Sequence, residues 1–458
     1  MGYGTIFRLG IPIALAASSG VALDQINLLI TSSASSAEIA GVSFVSGLIM
    51  IFYMVTRGFG TAQSLSISKE RGLKRLDLAY EYFTAAIYVR LFIAAAAGIL
   101  IYFAGLHLES FGLPNDVADV SRELIVCFSI GAFFCLSASI FRDLWESFED
   151  SKFPMIVIFL GIGVNFMVAY ALSSMSAWSR YPSALACAVG FLLGQGFTFF
   201  TLLLATERKH DLFSKLRKLP ETKYGKEILR AGGPISFQQF CECAAFVTTA
   251  IFIGNMGTDD LAARQVANSV VNMTFLVPLG LAQAAMILVG KLAAKNEVTA
   301  IVKLCRNALV LTIFLMTCFA AFLLLMRSKI PILYGLNPAA SRMATSMLIT
   351  AALFQVMDGM QVMASGLLRG LGDITVPAYL IIVSWWGVAI PLEWLLGFYF
   401  QEGSLGVWTG LACGVACCAL LLSLRLRFVV QRFRDMRPAD LSRLAPEMDS
   451  FQVTKDSH

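Results

Sequence analysis

Twelve stretches of roughly 20 mostly apolar residues follow one another along this 458-residue chain, each long enough to cross a bilayer as a helix. They fall near 9–31, 39–66, 84–105, 121–142, 154–175, 183–205, 229–253, 260–290, 301–326, 342–368, 376–400 and 406–428. Spans 2, 8 and 10 exceed what a crossing needs, so they are expected to tilt or to continue beyond the hydrocarbon. Composition agrees: 57% of residues are apolar and 14% charged, against about 25% charged in a soluble domain. Mean hydropathy is +0.74. An all-α membrane protein with twelve transmembrane helices is the expected fold class.

The net charge of +5 is no nucleic-acid signal, because the basic residues lie in short segments between apolar runs. With the N-terminus inside, the inner segments hold Lys69, Arg71, Lys74 and Arg75, seven basic residues from Arg208 to Lys226, Lys291 and Lys295, and Arg432, Arg434 and Arg437. The outer segments hold only Arg122, Arg180, Arg327 and Lys329, and the outer loop 105–119 is acidic, with Glu109, Asp116 and Asp119. Both termini are therefore expected in the cytoplasm, with the chain as a multi-pass protein of the plasma (inner) membrane. Met-Gly-Tyr-Gly runs almost at once into the first span, without a basic n-region or a small-residue cleavage site, so no cleaved signal peptide is expected.

The two halves repeat each other. Phe7-Arg8-Leu9-Gly10-Ile11-Pro12 matches Leu229-Arg230-Ala231-Gly232-Gly233-Pro234, and Ala37-Glu38-Ile39-Ala40 matches Asp259-Asp260-Leu261-Ala262 at the same offset. Slightly shifted, Gly60-Thr61-Ala62-Gln63 meets Gly280-Leu281-Ala282-Gln283, and Asp150 and Pro154 meet Asp373 and Pro377. Six spans per half is an even number, so both halves enter the membrane in the same direction. Two pseudo-symmetric six-helix bundles are expected, with a cavity between them. The lobes are 1–205 and 228–430, joined by a basic linker 206–227 and followed by a polar cytoplasmic tail 431–458. Pro12 and the Gly-Gly-Pro at 232–234 read as helix-entry features.

Ionisable groups in mid-membrane are costly, at about +2.5 kcal/mol or more, so each is a functional candidate. Glu242 lies well inside span 7, with Gln238 and Gln239 one turn before it. Asp358 sits in mid-span 10, between Gln355 and Gln361. A carboxylate facing an enclosed space can hold a proton, a sodium ion or an organic cation, but not two at once, and that competition couples export to ion entry. Asp24, with Asn27 one turn on, and Asn165 form a weaker set in the N-terminal half. Gln63 reads as interhelical glue, Arg90 as a side chain reaching to the inner interface, and Glu393, near the outer end of span 11, as wet.

Absent motifs narrow the chemistry. No G-x-x-x-x-G-K-[ST] cradles phosphates, and neither H-E-x-x-H nor G-x-S-x-G appears. The ten cysteines all lie in apolar runs, and the three histidines, His107, His210 and His458, are nowhere near the close pairs Cys241/Cys243 and Cys417/Cys418. The cysteines read as packing residues, with no metal site.

The stretch from Phe354 through Asp358-Gly359-Met360-Gln361-Val362 to Leu368-Arg369-Gly370 resembles the span-10 signature of the multidrug and toxic compound extrusion (MATE) family, in its NorM-like branch. Glu242, eight residues past Pro234, falls where that branch keeps a span-7 glutamate. Trp385-Trp386 with Pro391-Leu392, and Leu405-Gly406-Val407-Trp408 with Gly410-Leu411, are similar to its spans 11 and 12. The resemblance implies a secondary active antiporter, not an enzyme, that exports organic cations in exchange for H+ or Na+ by alternating access. It implies no cofactor, and its partners would be small organic cations and membrane lipids, with the protein acting as a monomer. Carried over, Glu242 and Asp358 are the cation-responsive acids. In the N-terminal half the family's span-1 aspartate falls on Asn27, and the second asparagine of its span-5 pair is Ala169. A lipid-linked saccharide flippase of similar architecture and a non-transporting receptor or scaffold remain as alternatives.

Overall fold

The structure, a computed structural model, describes residues 2–31, 34–107, 114–174, 181–216 and 220–435. Glu109, Arg180, Arg217, Lys218, Arg437 and everything after residue 435 lie outside the described residues. Among the described residues there is no strand, and twelve helices are long and apolar enough to cross a membrane. They are α1 Tyr3–Thr31, α2 Ser36–Gly72, α3 Leu76–Leu106, α4 Asn115–Ser147, α5 Lys152–Ser173 and α6 Pro182–His210, then α7 Thr222–Gly254, α8 Thr258–Ala294, α9 Val298–Met326, α10 Pro338–Gly370, α11 Thr375–Tyr399 and α12 Gly403–Asp435.

The helices outrun the apolar stretches. α2 and α8 have 37 residues each, which is roughly 55 Å of helix for about 30 Å of hydrocarbon. Hydropathy stops at the first charges, but helical hydrogen bonds continue through them. Lys69 and Arg71 end α2 and Lys291 ends α8, where cations suit the negative pole of the helix dipole. α12 likewise continues to Asp435 and carries Arg432 and Arg434 in its last turn. Between α6 and α7 a short helix, Leu212–Leu216, occupies part of the basic stretch. Pro12 and Pro234 do not start helices. Both lie inside them, because the half-polar turns upstream are helical as well.

The repeat is visible in the backbone. Lys74 after α2 and Asn296 after α8, 222 residues apart, are both left-handed (φ 62° and 56°), as are Glu149 after α4 and Gly372 after α10, 223 residues apart (φ 63° and 89°). Only one of the four is glycine, so helix termination at these points is set by position more than by residue type. The matched acids behave alike too: Asp150 pairs with Lys209 at 2.9 Å and Asp373 with Arg425 at 2.7 Å.

The chain forms two compact units: Pro12–Ile67 with Asp77–Phe240, and Met1–Ile11 with Ser68–Leu76 and Cys241–His458. The division does not follow the chain midpoint, because the first turns of α1 and α7 pack with the opposite half. A Cβ added at Gly10 would lie 2.8 Å from Leu281 Cδ2, and one added at Gly232 would lie 2.9 Å from Phe59 Cα. Gly10 and Gly232 are repeat equivalents, and so are Phe59 and Leu281, at the single offset of 222. The same backbone contact is made twice.

Within the unit holding most of the N-terminal half, Val45, Leu124, Phe128 and Phe191 centre one apolar cluster, and Phe83, Phe141, Leu144 and Leu202 another. In the C-terminal unit α10 lies between α8, α9 and α12. Gly366 and Gly370 let it press on α8, where an added Cβ would lie 2.8 Å from the carbonyl oxygens of Ala282 and Met286. Small residues at helix crossings allow this approach in lipid, where apolar area alone gives helices no reason to associate.

Candidate functional site

Asp358 is buried on α10. Its Oδ1 accepts a 2.8 Å hydrogen bond from Gln361 Nε2, and the buried Gln361 Oε1 has no hydrogen-bond partner among the described residues. Gln355, on the preceding turn, serves a different neighbour. Its Nε2 donates to Thr274 Oγ1 on α8 at 2.5 Å, and its Oε1 is buried without a partner. Of the two glutamines flanking the acid, the fold brings Gln361 to it and turns Gln355 toward α8.

Glu242 is partly exposed on α7, one turn beyond the buried Gln238 and the partly buried Gln239. The Cys241 carbonyl next to it accepts from Trp386 Nε1 on α11 at 3.1 Å, which ties α7 to α11 at this level. The buried Cys418 thiol on α12 is hydrogen-bonded to Ser384 and lies within electrostatic reach of both Glu242 and Asp358. Glu242 and Asp358, 116 residues apart in the chain, thus belong to one unit.

In the other unit, Asp24 is exposed on α1 beyond a break at Ser18, and Asn27 is buried one turn later. Asn165 on α5 is 1% exposed. The second half of α1 packs on α5 and α6, with Cys187 Sγ on α6 facing the Asn27 carbonyl at 3.9 Å. Gly190 and Gly194 hold α6 flush against Asn165: an added Cβ would lie 2.7 Å from its carbonyl oxygen and 2.9 Å from its Cβ, respectively. Asn27 Oδ1 and both side-chain polar atoms of Asn165 are buried without partners among the described residues. Three orphaned polar atoms in one helix cluster are unusual, since buried polar groups are almost always satisfied. Ala169 is fully buried nearby.

Two sequence expectations need correction. Arg90 does not reach to an interface. It is buried, with Nη1 2.7 Å from Asp143 Oδ2 and 2.6 Å from Gln63 Oε1, and Nη2 2.6 Å from Ser139 Oγ. Ending span 4 at residue 142 leaves Asp143 in a loop, whereas α4 runs to Ser147 and carries the acid into the bundle. Gln63 also donates to the Ile140 carbonyl at 2.8 Å, joining α2 to α4. Glu393 is not wet. It has no exposed surface, and both its oxygens face Thr249 Oγ1 on α7 at 2.9 and 3.0 Å. Glu393 follows Pro391 on a short α-helical turn between two π-helical segments of α11, Val383–Ala389 and Leu395–Tyr399. A proline removes a helix donor and widens the turn before it.

Among the described residues no group of three or more His, Cys, Asp or Glu side chains is placed to hold a metal ion. What the sites offer is carboxylates and amides in confined polar surroundings.

The MatE family model matches residues 12–171 and again 234–395, two copies at the spacing of the internal repeat. A protein of Pasteurella multocida named "Probable multidrug resistance protein NorM" is 26% identical, over 92% of this chain and 93% of its own. One of the same name from Brucella suis biovar 1 is 30% identical, over 69% of each chain. A solved outward-facing conformation of a multidrug resistance MATE family transporter superposes with a TM-score of 0.86 at 20% identity, covering 95% of this chain and 97% of that one. Twelve membrane helices in two repeated halves, an acid at the expected place in α7 and α10, and a duplicated family match lead to one assignment: this chain belongs to the MatE family, as a NorM-like membrane transporter.

Proposed function

We propose that the protein is a secondary active antiporter that exports organic cations from the cytoplasm in exchange for H+ or Na+ by alternating access. The observation that carries this reading is the burial of the Asp358 carboxyl, hydrogen-bonded by Gln361, in the same unit as the partly exposed Glu242. Two negative side chains in one unit attract a cation of either kind, and each cation bound by them lowers the affinity for the other. Gln361 orients Asp358. The multidrug resistance names of the relatives support organic, chemically varied substrates for this chain. The distribution of basic residues supports cytoplasmic termini in a plasma (inner) membrane, and two repeated six-helix halves within one chain support action as a monomer.

The N-terminal unit contributes a second ion site. Asn27 Oδ1 and the Asn165 amide are polar, buried and unpartnered, the condition an ion or its water would relieve. Asp24, exposed one turn before Asn27, supplies the charge that draws it in. A flippase for an anionic lipid headgroup is less well supported, because the arginines buried in this unit are engaged: Arg90 with Asp143, and Arg142 with Asp143 and Glu146.

The test is efflux of an organic cation from proteoliposomes with pH and sodium gradients imposed separately. The reading requires at least one gradient to drive efflux, and requires Glu242→Gln with Asp358→Asn to abolish it in a folded protein. Undiminished ion-driven efflux from the double variant refutes the assignment of these acids.

A further inference from the structure

The exporter reading leaves one buried acid unused. Glu393 on α11 has no exposed surface, and burying a carboxyl with nothing to do is costly in a membrane protein. It lies against α7 through Thr249, against α8 through Arg264, and against α12 through Gly410, whose missing side chain leaves room for the Glu393 backbone. Thr249 is seven residues beyond Glu242. Seven residues are two turns, so both side chains face the same side of α7 with roughly 10 Å between them along the axis.

The hydrogen bonding around Glu393 has two solutions. Thr249 Oγ1 lies 3.1 Å from the Ala245 carbonyl, 3.0 Å from Glu393 Oε1 and 2.9 Å from Oε2. A hydroxyl has one proton, and here it faces three acceptors. If Thr249 donates to Ala245, the bond to Glu393 exists only when the carboxyl carries a proton and donates it to Thr249. If Thr249 turns its proton to Glu393, the ionised carboxylate is stabilised instead. Loss of the carboxyl proton with rotation of one hydroxyl thus exchanges a hydrogen-bonded acid for a hydrogen-bonded carboxylate, without any helix moving.

Arg264 supplies the charge that makes the ionised form tolerable. Its Nη2 is held by the Phe246 carbonyl at 2.9 Å, and its Nε is buried without a partner. Arg264 acts on Glu393 through space, while the hydrogen bonds come from Thr249. A carboxylate clamped in a direct ion pair would be fixed in one state. This one is compensated but free to change.

We infer that Glu393, with Thr249 and Arg264, is a proton-exchange site in series with Glu242 and Asp358, placed two turns along α7 toward Gly254. On release the carboxyl O–H bond breaks, its electron pair stays on Glu393, and the proton passes to a water molecule, which becomes hydronium. Uptake reverses the step. The inference rests on the exporter reading for its role in coupling, but proton exchange at Glu393 is observable without transport.

The experiment is infrared difference spectroscopy of the purified full-length protein between acidic and alkaline buffer, for the wild type, Glu393→Gln, Thr249→Val and Asp358→Asn. One carboxyl C=O band that disappears on raising the pH is expected in the wild type and in Asp358→Asn, and is expected to be missing in Glu393→Gln. Thr249→Val, which keeps the acid but removes its hydroxyl partner, should shift the pH midpoint of that band. A Glu393→Gln spectrum identical to wild type, or a Thr249→Val midpoint that does not move, overturns the proposal. In proteoliposomes Glu393→Gln should then slow proton-driven efflux roughly tenfold, within the range of measured couplings. If the wild type shows the band but no ion-driven efflux, the exporter reading fails while proton exchange at Glu393 stands.

Discussion

Arg90 Nη1 and Asp143 Oδ2 lie 2.7 Å apart inside the N-terminal bundle, both almost fully buried, and the same guanidinium also reaches Gln63 and Ser139. One residue of α3 thereby locks α2 and α4 together. Stranding a buried charge costs about 3 to 5 kcal/mol; without Arg90, Asp143 keeps Arg142 at 3.1 Å but α3 loses its tie to α2 and α4. Arg90→Ala should therefore lower the unfolding temperature in detergent sharply. Arg90→Met combined with Asp143→Leu should recover much of the loss, since neither charge is then stranded. Equal melting temperatures for Arg90→Ala and the wild type would contradict this role.

The repeat-related contacts Gly10–Leu281 and Gly232–Phe59 should respond alike to substitution. A Cβ at either glycine meets atoms at 2.8 Å or less, with Phe59 backbone at 2.9 Å and Leu281 backbone at 3.0 Å close behind. Flexible side chains can yield there, but backbone cannot. Gly10→Val and Gly232→Val should each reduce the yield of folded protein, whereas Gly233→Ala, with open space around its added Cβ, should not. Size-exclusion profiles after detergent extraction check this, and monodisperse Gly232→Val at wild-type yield would count against the contact.

Asn165→Leu separates a dry packing residue from an ion ligand. If nothing polar visits Asn165, replacing an unpartnered amide with an apolar group of similar size is neutral or stabilising. The second ion site proposed here predicts the opposite functional result: ion-driven efflux falls by roughly fivefold or more while the fold survives. An Asn165→Leu protein that melts higher and transports at the wild-type rate would remove this site from the mechanism.

Much of this architecture was legible in the sequence because lipid imposes one local rule, an apolar run long enough to cross. All twelve helices lie where that rule puts them, and the repeat offset read from Gly10 and Gly232 reappears in the paired left-handed turns. The misreadings share a cause. Hydropathy sees residues one at a time, so it places Arg90 of α3 and Glu393 of α11 at the interface. Their burial is non-local. Asp143 is covered because Arg90 on α3 faces it, and Glu393 because Thr249, Arg264 and Gly410 come from three other helices. Gly410 in the quoted span-12 motif was a usable hint that something must approach there closely, but nothing local said that it was an acid.

Competition for the acids is the point on which the account turns, and equilibrium binding of tetraphenylphosphonium to the purified protein measures it. The account predicts that affinity falls as protons or sodium ions are added, and that this dependence vanishes in Glu242→Gln/Asp358→Asn. Affinity indifferent to both ions, or an ion dependence that persists unchanged in the double variant, would contradict it.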